Sequence, residues 1–400
     1  MSFYLGPTRP VTSLSTWEEV ELAAQGGLLE ENQWVELKKD LGPANKAVNT
    51  ELAKDLASLS VDGGLLIFGV ADDGTPVGCD AEAIIPRISQ VAGHGITPAL
   101  SPVIHNPIPH PEDPGKAVLI VAVPASPVGP HMVDDRYWGR SSHGKQVLSD
   151  PDVRRLLLLR AAAQEGFEDR LRALAADDPL DSRVVGGPEN GHLYVLAEPL
   201  GPIPHPHPLS DADLLREQLR KVSPSGWRSG LEKCSSSGRD PDGAALVTIA
   251  EEVAADRERG LTFVSLKDDG RLVVVSGGAT AVLPQRGGEH RGILIGLITR
   301  LTYQTLQLVR NLSLDAWGYQ GPWQVGVLAT DLRGLPPLLD ALDSVGEYRA
   351  ADYQRTIVTT PATWGGSGSA DEAAEQLLSG FFRGLGIDGW SVDVMLRRHG

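Results

Sequence analysis

The run Leu65-Leu-Ile-Phe-Gly-Val70 constrains this chain more than any other stretch. Six consecutive residues without a polar side chain fit a short strand covered on both faces. The preceding segment is consistent with that placement. Trp34 to Lys38 alternates, with Val35 and Leu37 on one face and Trp34, Glu36 and Lys38 on the other, which is the pattern of a half-buried strand. Between the two runs, Val48, Leu52, Leu56 and Leu59 recur at helical spacing, and Gly63-Gly64 supplies the left-handed positions that stop a helix.

The same rules carry the reading outward. Thr16 is placed to cap a short helix from Trp17, and residues 1–27 read as a lead-in. Asp72-Asp73-Gly74 is turn chemistry leading into a returning strand at Pro76 to Gly78. Ile84, Ile85, Ile88 and Val91 share a helical face. Strands follow at Ser101 to Ile104 and Ala117 to Val123, separated by a proline-rich loop, Pro107 to Pro114. His131 to Arg140 reads as a hairpin around Asp134-Asp135, and Ser149 caps a helix that ends a first domain over residues 28–164. Residues 165–190 are polar and acidic and read as a linker. Residues 191–400 alternate strand and helix patterns, with the clearest hairpin flanking Asp268-Asp269-Gly270. The fold class expected is α+β in both halves.

Composition narrows the function. The net charge is -16, which argues against a protein that coats nucleic acid nonspecifically, so any such contact needs a local basic patch or a bound cation. Two cysteines, Cys79 and Cys234, are too few for a disulfide framework or a thiolate zinc site and read as reduced structural thiols. No apolar run reaches the roughly 18–20 residues of a membrane span, and Met1 to Pro10 carries no basic-then-apolar signal. Those two features predict a cytosolic protein that makes no membrane contact.

Glu31 and Glu36 stand five residues apart. On one helix they lie off a common face, and on one strand they point to opposite faces. They meet only if the chain bends between Asn32 and Trp34. With that bend, Glu36 and Lys38 project together from the strand, Glu31 approaches from the preceding turn, and Asp72 joins them from the end of a neighbouring strand. Three close carboxylates repel one another unless a cation shares the site, and Mg²⁺ or Mn²⁺ suits such oxygen donors. Lys38 then offers a point charge to a phosphate. The alternative is a solvated strand face beside an ordinary turn. Arg136, Arg140 and Lys145, interleaved with Tyr137 and Trp138, form the best local patch for phosphate contact and base stacking, or else a hairpin with packed aromatics. His131 is a candidate general acid or a structural group. His205 and His207 lie in a proline-rich loop.

The ordered series of features resembles the Schlafen AlbA-2 domain over about residues 28–160. It comprises Glu-x4-Glu-Leu-Lys, a helix, Asp-Gly-Gly-Leu-Leu-Ile-Phe-Gly-Val, Asp-Asp-Gly-x-x-x-Gly, Val-Pro-Ala-Ser, Pro-His, and Tyr-x-Gly-Arg-Ser before a Leu-Ser-Asp helix. The resemblance implies an endoribonuclease that cuts structured RNA such as tRNA with a divalent cation, its site falling on Glu31, Glu36 and Asp72, with Asp73 the fallback. The alternative it allows is a non-catalytic, regulatory module that binds RNA or DNA. A third reading is a protein-interaction or sensing role led by residues 191–400. The single copy of the domain suggests a homodimer, because vertebrate relatives are two-lobed.

Overall fold

The computed structural model describes residues 1–141, 144–164, 166–181, 189–203, 209–222, 230–248, 258–285, 288–338, 346–364, 369–387, 392 and 396. Its architecture is mixed α+β, as expected. The first part contains β1 (Ser2–Phe3), β2 (Thr12–Ser13), α1 (Trp17–Gln25), β3 (Val35–Lys38), α2 (Lys46–Leu59), β4 (Gly64–Phe68) and α3 (Ala81–His94). After these come β5 (Val103–Ile104), β6 (Ile108–Pro109), β7 (Ala117–Val123), β8 (Met132–Val133), β9 (Arg136–Ser141), β10 (Gly144–Val147) and α4 (Asp150–Gln164).

A five-stranded sheet runs β3-β4-β7-β5, with β6 also paired to β7. The central strands β4 and β7 are uninterrupted apolar runs of the sequence, and both are almost wholly buried. β3 lies at the edge, parallel to β4, with Glu36 opposite Leu66 and Lys38 opposite Phe68. Its alternation works as the pattern requires. Val35 and Leu37 enter the core on one side with Val20, Leu29 and Ile120, each burial contributing about 1.5–3 kcal/mol. Glu36 and Lys38 therefore face the other side, where α2 and α3 pack over Leu66, Phe68 and Val121. The β8–β9 turn has Asp134 and Asp135 at φ 48° and 59°, the geometry of a tight two-residue hairpin. β9 pairs on its far edge with β10, and the resulting small sheet lies against α2.

The second part is a seven-stranded antiparallel sheet. It holds α5 (Phe167–Ala176), β11 (Leu193–Pro199), α6 (Ala212–Lys221), β12 (Cys234–Ser237), β13 (Gly243–Thr248), β14 (Thr262–Lys267) and β15 (Leu272–Ser276). A separate two-stranded arm, β16 (Thr280–Gln285) and β17 (Gly288–Ile293), precedes α7 (Ile295–Asn311), β18 (Trp323–Ala329), β19 (Tyr353–Thr359) and α8 (Ser369–Gly384). The sheet order is β12-β13-β14-β15-β11-β18-β19. Residues of α6, α7 and α8 cover one face and α5 covers the other. Among the described residues no helix is long and apolar enough to cross a membrane.

Several readings from the sequence change here. The segment read as a lead-in is part of the first core, since Phe3, Leu5, Leu14 and Val20 are buried with the sheet. Leu314 and Ala362 of the second half join the same cluster. The stretch read as a linker contains α5, whose Phe167 and Leu171 pack on the second sheet. Pro76 makes one bridge to Val70 rather than opening a strand, because proline has no amide proton to continue a ladder. The helical pattern from Gly292 to Asn311 becomes α7 only from Ile295, and Gly292 belongs to β17.

Candidate nucleic-acid interface

The bend that the two glutamates require is present, and Asn32 makes it. Its side-chain oxygen accepts from the amides of Trp34 at 2.7 Å and Val35 at 3.0 Å, a local turn characteristic of asparagine. The chain reverses there, and Glu31 Oε1 accepts from the Leu37 amide at 3.3 Å. Arg140 reaches across from β9, donating through Nε to the Asn32 carbonyl at 3.1 Å and through Nη2 to Glu36 Oε2 at 2.5 Å. The other oxygen of Glu36 accepts from Lys38 Nζ at 3.0 Å.

Asp55 of α2, which the sequence reading did not single out, stands at the centre of the site. It is fully buried, and its two carboxylate oxygens face two lysines. Lys38 Nζ lies 3.0 Å from Oδ2, and Lys145 Nζ lies 2.6 Å from Oδ1. Lys145 also contacts Glu51 at 2.9 Å, and Lys54 pairs with the other Glu51 oxygen at 2.7 Å. Four acids (Glu31, Glu36, Glu51, Asp55) thus interleave with four bases (Lys38, Lys54, Arg140, Lys145) along the edge of one sheet. A signal for Asp55 exists in the sequence: it falls on the same helical stripe as Leu52 and Leu59, where a carboxylate needs a partner.

The charges set distinct protonation behaviour. Partial desolvation, then the neighbouring Glu36 charge, pushes the Glu31 pKa up. Burial alone would raise Glu36 as well, but Lys38 and Arg140 outweigh it and the net shift is downward. For Lys38 and Lys145 burial acts to lower the pKa. Asp55 reverses this in both, helped by Glu36 for Lys38 and by Glu51 for Lys145, so both ammoniums are held more firmly charged than usual. Two carboxylates with opposed shifts side by side are the arrangement in which one holds a proton while the other stays ionised.

The remaining candidates are distributed differently. Asp72 is exposed in the Ala71–Thr75 turn and makes no hydrogen bond or ion pair among the described residues, while Asp73 accepts from the Thr75 amide at 3.0 Å. That turn packs against Leu29, two residues before Glu31, because Gly74, at φ 83°, sits so close to the Leu29 carbonyl that a Cβ would lie 2.5 Å from it. The patch on β9 divides by strand alternation. Arg136, Trp138 and Arg140 share one face and Tyr137 takes the other. Arg136 is exposed and Tyr137 half-buried, whereas Arg140 is buried and committed to Glu36 and Asn32. Trp138 carries Lys54 over its ring at 5.0 Å. His131 is buried, with Nδ1 2.7 Å from the Pro98 carbonyl and Nε2 2.8 Å from Ser126 Oγ. Its pKa is lowered, chiefly by burial, and both ring nitrogens are engaged structurally. Cys79 and Cys234 are free and buried, as the reduced-thiol reading expects. His205 and His207 lie outside the described residues.

The donors do not form a ready cage for Mg²⁺ or Mn²⁺. Both oxygens of Glu36 are already on cations of the chain, and among the described residues no group of three or more His, Cys, Asp and Glu is placed to hold a metal ion. Lys38 and Arg140 supply the positive charge that close carboxylates need.

With this geometry established, the comparison with known families is specific. Residues 31–149 match the family described as Schlafen, AlbA_2. That segment, which begins at Glu31 and contains every residue of the ionic cluster, is a Schlafen AlbA_2 domain, and its family points to a nucleic-acid-related function. No curated protein matches the chain.

Proposed function

We propose that the AlbA_2 domain is an endoribonuclease that cuts structured RNA such as tRNA at the edge of β3. The observation that carries the reading is the convergence of Glu31, Glu36 and Lys38 through the Asn32 bend. Glu31 is the proton-transfer group, since a carboxylate with a raised pKa is a better base than an ordinary one. Glu36 stays ionised and orients Lys38, whose ammonium contacts the phosphate. Lys145 and Arg136, on the same face of the β9–β10 hairpin, extend the cationic path along the RNA backbone, whereas the half-buried Tyr137 takes the opposite face and lies off that path. Arg140 acts one step back, fixing both Glu36 and the bend. Mg²⁺ or Mn²⁺ is proposed as the accompanying cofactor on the family likeness alone, and Asp72, carried on the adjoining turn, as the third carboxylate. A homodimer that joins two such edges into one groove belongs to the same proposal, and light scattering at micromolar concentration checks it.

The full pairing of Glu36 favours a second reading, a non-catalytic domain that binds RNA or DNA through the same lysines. One experiment separates the two. The purified chain is incubated with tRNA in Mn²⁺, Mg²⁺ or EDTA, and binding is measured in parallel at rising salt. Cleavage by wild type that is lost in Glu36→Gln supports the nuclease. Salt-sensitive binding with wild type and Glu36→Gln equally inert replaces it with the binding module, and absence of both rejects the nucleic-acid reading of this edge.

A further inference from the structure

A second concave site lies between the AlbA_2 domain and the second half, at the Val61–Asp62 turn that precedes β4. It is a cleft of about 630 Å³, within the usual size range of small-molecule sites. Its walls come from the Val61–Asp62 turn after α2, one face of α4, Arg170 of α5, and the segment from Glu198 to Ile203 that ends β11, with Asp269 and Arg271 beside it. Leu156, Leu159, Leu200 and Ile203 give it an apolar lining.

Its charge is opposite to that of the chain. Four arginines line it, at positions 155, 160, 170 and 271, against three carboxylates, Asp62, Glu198 and Asp269. The net is positive in a protein of net charge -16. The carboxylates are also unevenly used. Glu198 is gripped by Arg170 through two hydrogen bonds, 2.9 Å from Nε and 2.6 Å from Nη2, and Asp269 pairs with Arg271 at 2.8 Å. Arg155 and Arg160 have no ion pair among the described residues. Arg160 donates from Nη2 to the Val61 carbonyl at 2.7 Å, and its Nε is buried without a hydrogen-bond partner. Burial lowers its pKa against the opposing pull of Asp62 and Tyr319. A guanidinium drawn out of water without a bound carboxylate is costly to leave unmatched, and an anion from outside the chain resolves it.

From this cavity we infer that the cleft binds a phosphate monoester of nucleotide size. Arg155 and Arg160 hold the phosphate, the guanidinium fork being suited to its oxygens. The organic body lies against Leu156, Leu159 and Ile203. The inference does not depend on RNA cleavage, because neither arginine touches the β3 edge.

The test is titration calorimetry on the full chain with AMP and with inorganic phosphate. AMP is expected to bind saturably with one site per chain, and phosphate more weakly at the same site. Arg155→Glu, an exposed helix position, should weaken AMP by at least about tenfold, the effect of replacing a charge-assisted contact by repulsion. Arg160→Lys, which keeps the charge but loses the Nε donor, should weaken it in the same direction. If that variant fails to fold, Arg155→Glu decides. Leu159→Ser should weaken AMP and leave phosphate unchanged. Lys38→Ala should leave AMP affinity as in wild type. The proposal is overturned if neither probe binds at millimolar concentration, if Arg155→Glu binds AMP like wild type, or if Lys38→Ala abolishes binding and so assigns AMP to the β3 edge.

Discussion

Glu36 and His192 each sit between two groups of opposite charge, one at the open edge of the first sheet and the other inside the second. His192 lies with Nδ1 2.5 Å from Asp178 Oδ2 and Nε2 2.8 Å from Glu258 Oε1. Tyr194 donates to the same Asp178 oxygen at 2.6 Å, the Leu180 amide to the other at 2.7 Å, and the amides of Glu189 and Asn190 cap Glu258. All three charged residues are buried and their hydrogen-bonding capacity is consumed internally. The Glu36 cluster is built from similar chemistry but leaves Lys38 and Lys145 about a quarter exposed and Glu51 about half exposed. Arg140 Nη1 is left without a partner. An ion network that is closed on every side holds segments together, whereas one with charged ends in water can exchange its partners for a ligand.

Removing the centre of each cluster should separate these roles, and the sealed one should lose more stability. His192→Ala leaves Asp178 and Glu258 facing each other without a cation, and breaking a buried pair costs about 3–5 kcal/mol. Urea unfolding read from the second sheet checks this, and a loss below about 1 kcal/mol would show the cluster to be open to water. The pH dependence has two limbs. Asp178 and Glu258 outweigh burial and leave the His192 pKa raised, and His192, Tyr194 and the Leu180 amide outweigh burial and leave the Asp178 pKa lowered, from ordinary values of 6.5 and 3.8. The His192 contribution is therefore complete below about the ordinary imidazole value and is lost as pH rises through the raised one. The Asp178 contribution is complete above the ordinary carboxyl value and is lost as pH falls through the depressed one. In His192→Ala the alkaline limb should vanish.

The open cluster should respond in activity. Glu36→Gln keeps the shape and removes the charge that orients Lys38, so RNA cleavage should fall about 10²-fold or more, while the stability loss from the buried Arg140 left without its anion should stay below that of His192→Ala. Equal losses of activity and stability would instead make this edge a second structural clamp. Asp55→Asn lies between the two regimes. It removes a buried anion, but both lysines on it reach solvent, so the stability loss should be about 1–3 kcal/mol. With Asp55 neutral, Lys38 should also become more reactive toward an amine-modifying reagent at neutral pH, since Asp55 is the largest influence holding it charged. Unchanged reactivity would mean that Glu36 alone holds the ammonium.

The sequence disclosed the two clusters unequally, for physical reasons. Strand alternation is local, so Glu36 and Lys38 could be placed on one face, and the need for a bend between Asn32 and Trp34 followed from geometry alone. The apolar runs 65–70 and 117–123 located the central strands because both faces are covered. The His192 cluster could not be read this way. Its members lie at 178, 192 and 258, in three segments that only the antiparallel order of the second sheet brings together. Arg140 misled in the opposite sense. A basic residue beside aromatics on a hairpin reads as a ligand contact, but its reach across to β3 depends on how the hairpin docks on α2, and no local pattern encodes that. The edge strands β12 and β19 and the β16–β17 arm escaped because paired edges and arms carry too little apolar periodicity to stand out.

The smallest structural effect should come at Asp72, and it bears most directly on how the open cluster works. Asp72 is exposed and unpaired among the described residues, so Asp72→Asn should change stability by less than about 0.5 kcal/mol. Its effect on RNA cleavage then isolates chemistry from folding. If the third carboxylate comes from the turn, as the family resemblance implies, Asp72→Asn should abolish Mn²⁺-supported cleavage while Asp73→Asn, whose carboxylate serves the Thr75 amide, does much less. If Asp72→Asn cleaves like wild type and Asp55→Asn does not, the third acid is the buried one on α2. The positive charge at the site would then be that of Lys38 and Lys145 rather than of a metal ion, and cleavage should persist in EDTA.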